Sequence, residues 1–249
     1  MAGHSKWANI KHRKAAQDAK RGKVFTRLIR EIVVAARQGS ASVEDNPRLR
    51  TAVDKALAAN MKKDTIENAI ARGAGNADSD RLEEVTYEGY APGGVAVLVE
   101  TVTDNRNRTV AEVRHAFGKR GGNLGTDGSV AYLFTRRGQL CFPPGVDEER
   151  LLEVALDAGA EDLVSHEDGS VEVLTPWEEF HAVQRALEAA GLPPEDADVR
   201  MLAAVRVPLD RASAEVVLAL TDALEDLDDV QNVYTNAEIP EDVWEALAS

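Results

Sequence analysis

EEVTYEGYAPGGVAVLVETVTDNRNRT, residues 83–109, is the stretch from which the fold is built. Two β-type runs, EEVTYEGYA and GVAVLVETVT, meet at Ala91-Pro92-Gly93-Gly94, residues suited to the backbone angles of a turn. TDNRNRT ends the second run with helix-starting residues, and Val110, Val113 and Phe117 then give a helix an inward face. After the glycine-rich GKRGGNLGTDG, the run SVAYLF (129–134) predicts a third strand. This β-β-α-β order lacks a final helix and strand.

The chain end supplies both. Val216, Val217, Leu220, Leu224 and Leu227 line one helix face, and VQNVYTNAEI (230–239) predicts a last strand. Between lies a second set: strand GQLCFP, a helix from Asp147 to Ala158, strand EDLVSH, a turn at Glu167-Asp168-Gly169 and strand SVEVLT. Thr175-Pro176-Trp177-Glu178 then predicts a capped helix start, and DADVRMLAAVRVP closes the set. That order, β-α-β-β-α-β, is the split βαβ or ferredoxin-like one. The economical topology is a discontinuous α+β domain (79–135 and 207–249) with an acidic α+β domain inserted at 136–206. The alternative is two consecutive domains divided near 138.

Upstream, residues 8–38 read as helical, with Phe25, Leu28, Ile29, Ile32, Val33 and Ala36 on one stripe and a break or bend at Gly22. Asn46-Pro47 starts a second helix, buried through Leu49, Ala52, Val53, Ala56 and Leu57. A third opens at Asp64-Thr65-Ile66-Glu67, a capping box, and closes near Gly73. Three such helices can bury one another, so residues 1–78 form a basic helical domain. The fold class is α+β in three domains: one helical, and two ferredoxin-like, one inserted into the other.

The formal net charge of −14 conceals a dipole along the chain. Residues 1–75 hold 16 Lys and Arg against 7 Asp and Glu; residues 207–249 hold 1 against 11. Such asymmetry points to a basic segment that meets a polyanion. Lys6, Lys11, Arg13, Lys14, Lys20, Arg21 and Lys23 crowd together with Trp7 and His12 interleaved; Arg27 and Arg30 continue the row. Cations neutralise phosphates and release counterions, and an indole can stack on an unpaired base. A second candidate is TDNRNRT, where Arg106 and Arg108 sit beside the positive end of a helix dipole. Arg114, Lys119 and Arg120, the last two at the base of the glycine-rich connection, extend it along the same helix. The plainer alternatives are a solvated helix face and an ordinary helix cap.

Catalytic and metal constellations are missing from the residue pattern. His4, His12, His115, His166 and His181 show no metal-ligand spacing, and the chain has one Cys and no G-x-S-x-G elbow. No cofactor is expected, no small-molecule substrate is evident, and no enzymatic activity is expected. Cys141 alone cannot form an intramolecular disulfide, which fits a reducing compartment. No run is long and apolar enough for a membrane span, and the basic start lacks a signal-peptide core. The expected location is the cytoplasm, without a membrane partner. The oligomeric state is left open, monomer included.

The motifs MAGHSKWANIKHRK, FTRLIREIVVAAR, DTIENAIARGAG, EGYAPGGVAVLVE, TDNRNRT, GGNLGTDGSVAYLF and QNVYTNAEIP closely resemble the YebC/PmpR family, nearly end to end and most weakly over about 136–206. Ala91 departs from the glycine usual at that turn position. The resemblance implies a three-domain, non-enzymatic, cytoplasmic protein. It implies DNA binding with a regulatory outcome, as in transcriptional regulators. The family also includes the mitochondrial translational activator of cytochrome c oxidase. That relationship implies the alternative: a ribosome- or rRNA-binding translation factor assisting elongation through proline-rich stretches.

Overall fold

The computed structural model describes residues 21–75, 82–240 and 243–244, without the side chains of Arg21 and Gly22. Among these residues are seven α-helices and two four-stranded sheets, an α+β architecture.

The first layer is helical: α1 (Arg21–Gln38), α2 (Pro47–Ala58) and α3 (Lys63–Ala74). Leu28, Ile32, Val33, Leu49, Ala52, Ala56, Ile66 and Ala69 form its apolar cluster. One side chain ties two helices together. Asn46 Oδ1 accepts from Leu49 N at 3.0 Å to cap α2, while its Nδ2 donates to Ala35 O at 2.8 Å and Ser40 O at 2.7 Å. The described part of α1 opens at Arg21, beside Gly22, and the residues upstream of the expected break or bend lie outside the described ones. The capping box expected at Asp64 is not made: α3 starts one residue earlier, after Lys62, with no side-chain cap. Gly73 lies inside α3, where a Cβ would sit 2.8 Å from Ala36 Cβ, so α1 and α3 approach at backbone range.

The first sheet runs in the order β3 (Asn123–Leu124), β1 (Glu83–Ala91), β2 (Val95–Thr103), β9 (Val230–Thr235), antiparallel throughout. β1 and β2 form a hairpin from Glu83↔Thr103 to Ala91↔Val95, closed by a single 3₁₀ turn, Pro92–Gly94. Gly93 and Gly94 take φ of 81° and 76°, a left-handed conformation that costs glycine least. Val95, Val97 and Val99 face α4 (Arg106–Lys119) and α7 (Arg211–Glu225), while Ala96 and Leu98 face a second cluster with Val130 and Phe134. Both faces of β2 are covered, which explains its unbroken apolar run. β9 pairs with β2, so the chain end joins the sheet begun at Glu83.

The third strand departs from expectation. β3 lies within the glycine-rich connection, whereas residues 131–133 of SVAYLF form a 3₁₀ turn. Glu88 is the reason. Its carboxylate accepts from the amides of Gly128, Val130 and Ala131, each at 2.7 Å, and curls the chain around itself. Buried, that carboxyl would titrate high, but the three amides hold it below the ordinary carboxylate range.

The second sheet and its helices comprise β4 (Phe134–Phe142), α5 (Glu148–Asp157), β5 (Asp162–Ser165), β6 (Val171–Pro176), α6 (Phe180–Ala189) and β7 (Asp196–Ala203). The strands lie in the order β5-β6-β4-β7, which is the ferredoxin-like one. Leu140, Phe142, Val171, Val173, Leu151, Val183 and Leu187 make its core. The helix start expected at Thr175 is still strand, and α6 begins at Phe180 without a side-chain cap. The last expected strand divides at Asn236. Asn236 accepts from Ala96 N at 2.8 Å and donates to Val205 O at 3.2 Å, turning the chain into β10 (Ala237–Glu238), which runs parallel to β8 (Val207–Pro208).

Candidate nucleic-acid interface

The cations singled out in the sequence fall into three groups. Lys6, Trp7, Lys11, His12, Arg13, Lys14 and Lys20 lie outside the described residues, as does the side chain of Arg21.

The second group turns inward. Lys23, Arg27 and Arg30 follow at four- and three-residue spacing on one side of α1 and meet the C-terminal end of α7. Lys23 Nζ donates to Asp226 O at 2.6 Å and lies 3.4 Å from the Asp226 carboxylate. Arg27 donates to Glu225 O. Arg30 donates to Asp228 O at 2.6 Å and to Asp229 Oδ1 at 2.9 Å. A helix C-terminus exposes carbonyls without amide partners and carries about half a negative charge, so cations are stabilised there. Burial lowers the pKa of the Arg27 guanidinium, against the opposing pull of Glu225, Asp226 and Asp228.

Asp229 is the hub of this contact, and its side chain is only 2% exposed. Besides Arg30 it accepts from Arg108 Nη2 at 2.7 Å, Thr109 Oγ1 at 2.7 Å and Thr103 Oγ1 at 3.1 Å. Burial would raise its pKa, but bonds from Arg108 and Thr109 and the charges of Arg108 and Arg30 hold it below the ordinary range. Arg108, also paired with Asp104 at 2.8 Å, is held protonated by those two carboxylates. The residue pattern of Asp228-Asp229 reads as a helix-surface pair. No local signal marks Asp229 as a hub, because its partners come from α1, β2 and α4.

The third group is free of such ties. Arg106, Arg114, Lys119 and Arg120 are exposed along α4, and none has a carboxylate ion-pair partner among the described residues. Asn105 caps the helix through Arg108 N at 3.1 Å. From Arg106 to Arg120 the row spans about 20 Å at 1.5 Å per residue. The glycine-rich connection after it is packed: a Cβ on Gly122 would sit 2.7 Å from Tyr90 O, and one on Gly125 would sit 2.5 Å from Ser129 Oγ. Tyr132, at its far end, is 74% exposed.

The helical layer is also tied to the other elements by Arg48 to Glu84, Thr51 Oγ1 to His181 Nε2 at 2.7 Å and Lys55 to Asp198 at 2.5 Å. Burial lowers the His181 pKa, and the charges of Arg50, Arg185 and Lys55 add to this against Asp54. No described helix is long and apolar enough to cross a membrane. Among the described residues, no group of three or more His, Cys, Asp or Glu side chains is placed to hold a metal ion.

Comparison with known proteins matches residues 5–76 to the TACO1/YebC protein N-terminal domain and residues 82–237 to the TACO1/YebC second and third domain. A protein of Hahella chejuensis named "Probable transcriptional regulatory protein" is 66% identical over 247 residues, 99% of each chain. The transcriptional regulatory protein PmpR of Pseudomonas aeruginosa is 63% identical over 247 residues, covering 99% of this chain and all of that one. The crystal structure of a conserved hypothetical protein from Aquifex aeolicus matches with a TM-score of 0.78 at 51% identity, over 90% of this chain and 93% of that one.

Proposed function

The chain belongs to the TACO1/YebC family, and from that premise we propose that it is a non-enzymatic regulator of gene expression that works by binding nucleic acid in the cytoplasm. The relatives named as transcriptional regulatory proteins support the regulatory part and make DNA the first partner to test. The observation that carries the binding part is the row Arg106, Arg114, Lys119 and Arg120, exposed and without carboxylate ion-pair partners among the described residues, in a chain of net charge −14. The row's length of about 20 Å equals the span of roughly six phosphates along one strand at about 3.4 Å per nucleotide. Lys6, Lys11, Arg13, Lys14, Lys20 and Arg21, with Trp7 and His12 interleaved in the sequence, add a longer run of cations.

The row is spread around the helix rather than aligned on one edge. That spacing suits backbone and shape recognition more than base reading, which favours ribosomal RNA as the second reading. Sedimentation of lysate on a density gradient at mild salt, scored against ribosomes and nucleoid DNA, separates the two. Comigration with DNA supports the first reading and comigration with ribosomes the second; migration with neither contradicts both. Replacing Lys11, Arg13 and Lys14 together by Ala weakens binding evenly across sequences. Unchanged affinity would remove the N-terminal patch from the interface.

A further inference from the structure

Three of the cations that the sequence marks for a polyanion already hold an anionic partner inside the molecule. Lys23, Arg27 and Arg30 donate to carbonyls of Glu225, Asp226 and Asp228 and approach the carboxylates of Asp226 and Asp229. We propose that the C-terminal end of α7 is a built-in phosphate mimic. It occupies Lys23, Arg27 and Arg30 in the free protein, and a nucleic-acid backbone displaces it, releasing the helical layer from α7. This rests on the nucleic-acid reading above.

Several features favour a contact built to open. Lys23 and Asp226 keep 42% and 58% of their side chains exposed, so salt and competing anions reach the pair. The apolar cluster of the helical layer and the one under the first sheet share no residue. Separating them therefore does not split a common core. Most of the other ties are polar as well, from Arg48 and Gln38 to Glu84, Thr51 to His181, Lys55 to Asp198, Arg30 to Val102 O and Arg37 to Leu82 O; Leu82, just before β1, adds an apolar contact to the helical cluster.

Asp229 resolves the main objection, which is that a buried carboxylate stripped of its cation is costly. When Arg30 leaves, Asp229 keeps Arg108, Thr103 and Thr109. Arg30 in turn gains a phosphate, to which its planar guanidinium can bond in bidentate fashion. Neither side of the opened contact is left with an orphaned charge. Lys23 and Arg27 likewise exchange helix-end oxygens for phosphate oxygens, and the stronger full charge of the phosphate draws them outward.

The test reverses charge on the acidic side only, leaving the cations intact. Asp226→Lys places a positive charge against Lys23 on an exposed position. Glu215→Lys makes the same change in net charge at an exposed position toward the other end of α7 and is the control. Binding is measured by fluorescence anisotropy with two probes, a mixed-sequence DNA duplex and a single-stranded RNA. The expected result is about fivefold tighter binding by D226K than by E215K on the probe that the wild type binds.

A distance measurement on an otherwise unaltered chain guards against a binding gain from the new lysine itself. Spin labels on Lys62→Cys, in the helical layer, and Glu215→Cys, on α7, report the separation; the native Cys141 is buried. Saturation with the bound probe lengthens or broadens the distance distribution. Equal affinity of D226K and E215K, or a separation unmoved at saturation, overturns the mimic and leaves the reading of function standing. Failure of wild type and both variants to bind either probe overturns that reading and the mimic together.

Discussion

Arg30 and Arg108 hold opposite oxygens of a single carboxylate: Arg30 Nη1 is 2.9 Å from Asp229 Oδ1, and Arg108 Nη2 is 2.7 Å from Asp229 Oδ2. The first arginine comes from the helical layer and the second from the helix that follows β2. One aspartate on the short link between α7 and β9 thus joins two regions remote in sequence. Asp229→Ala should destabilise the protein by about 3 kcal/mol, because it removes the shared anion and leaves two guanidiniums facing each other. Denaturant unfolding measures the loss; Asp229→Asn, which retains bonds to Thr103 and Thr109, should lose less.

The close approach of α1 and α3 gives a second prediction. Gly73→Ala places a methyl group 2.8 Å from Ala36 Cβ, tighter than real contacts allow. Helix propensity alone would favour alanine, by about 1 kcal/mol. Overpacking of about 1–3 kcal/mol opposes it, so the variant should melt lower than wild type. The same substitution at Gly118, where a Cβ meets nothing within 4 Å, should melt at or above wild type.

Glu88 predicts a pH effect. Its folded-state pKa lies below the ordinary value, so its stabilisation is present above the ordinary carboxylate pKa and is lost as the pH falls through the folded one. Glu88→Gln should cost about 1–3 kcal/mol at neutral pH, since an amide accepts fewer of the three N–H bonds. The difference between wild type and variant should shrink as the pH falls below about 4. Urea melts across that range provide the comparison.

His181 acts in a different window. Its folded pKa is depressed, so the unfolded chain takes up the proton first and stability falls as the pH drops below about 6.5. In His181→Gln that part of the slope should be absent, as read from melting temperatures between about pH 7.5 and 5.5.

The elements are most legible in the sequence where local chemistry alone decides them. Asn46-Pro47 starts α2 because an asparagine cap and a proline at the first position are both local devices. The 91–94 turn, the stripe of α1 from Leu28 to Ala36 and the ferredoxin-like order of the second set follow from spacing in the same way, although Phe25, expected on that stripe, is exposed. The departures share one cause. SVAYLF has strand composition, but a carboxylate 42 residues away takes its amide protons. Thr175-Pro176-Trp177-Glu178 has the residues of a helix start, but β4 pairs with Thr175 and Pro176 as strand. In the candidate site, the exposed row on α4 is visible in the sequence as charge. The oxygen partners of Lys23, Arg27 and Arg30 are not, because they lie about 200 positions further on.

The α4 row is central to the proposed function, and the salt dependence of binding tests its role most directly. Wild type is measured beside the variant with Arg106, Arg114, Lys119 and Arg120 all changed to Ala. Wild type should show log K falling with log salt at a slope of about −4 to −5 on duplex DNA, for roughly 4–6 phosphates neutralised. The variant should bind more weakly, with a slope shallower by about 1 for each phosphate it no longer neutralises. Wild-type affinity and wild-type slope in the variant would contradict a role for the row in binding nucleic acid.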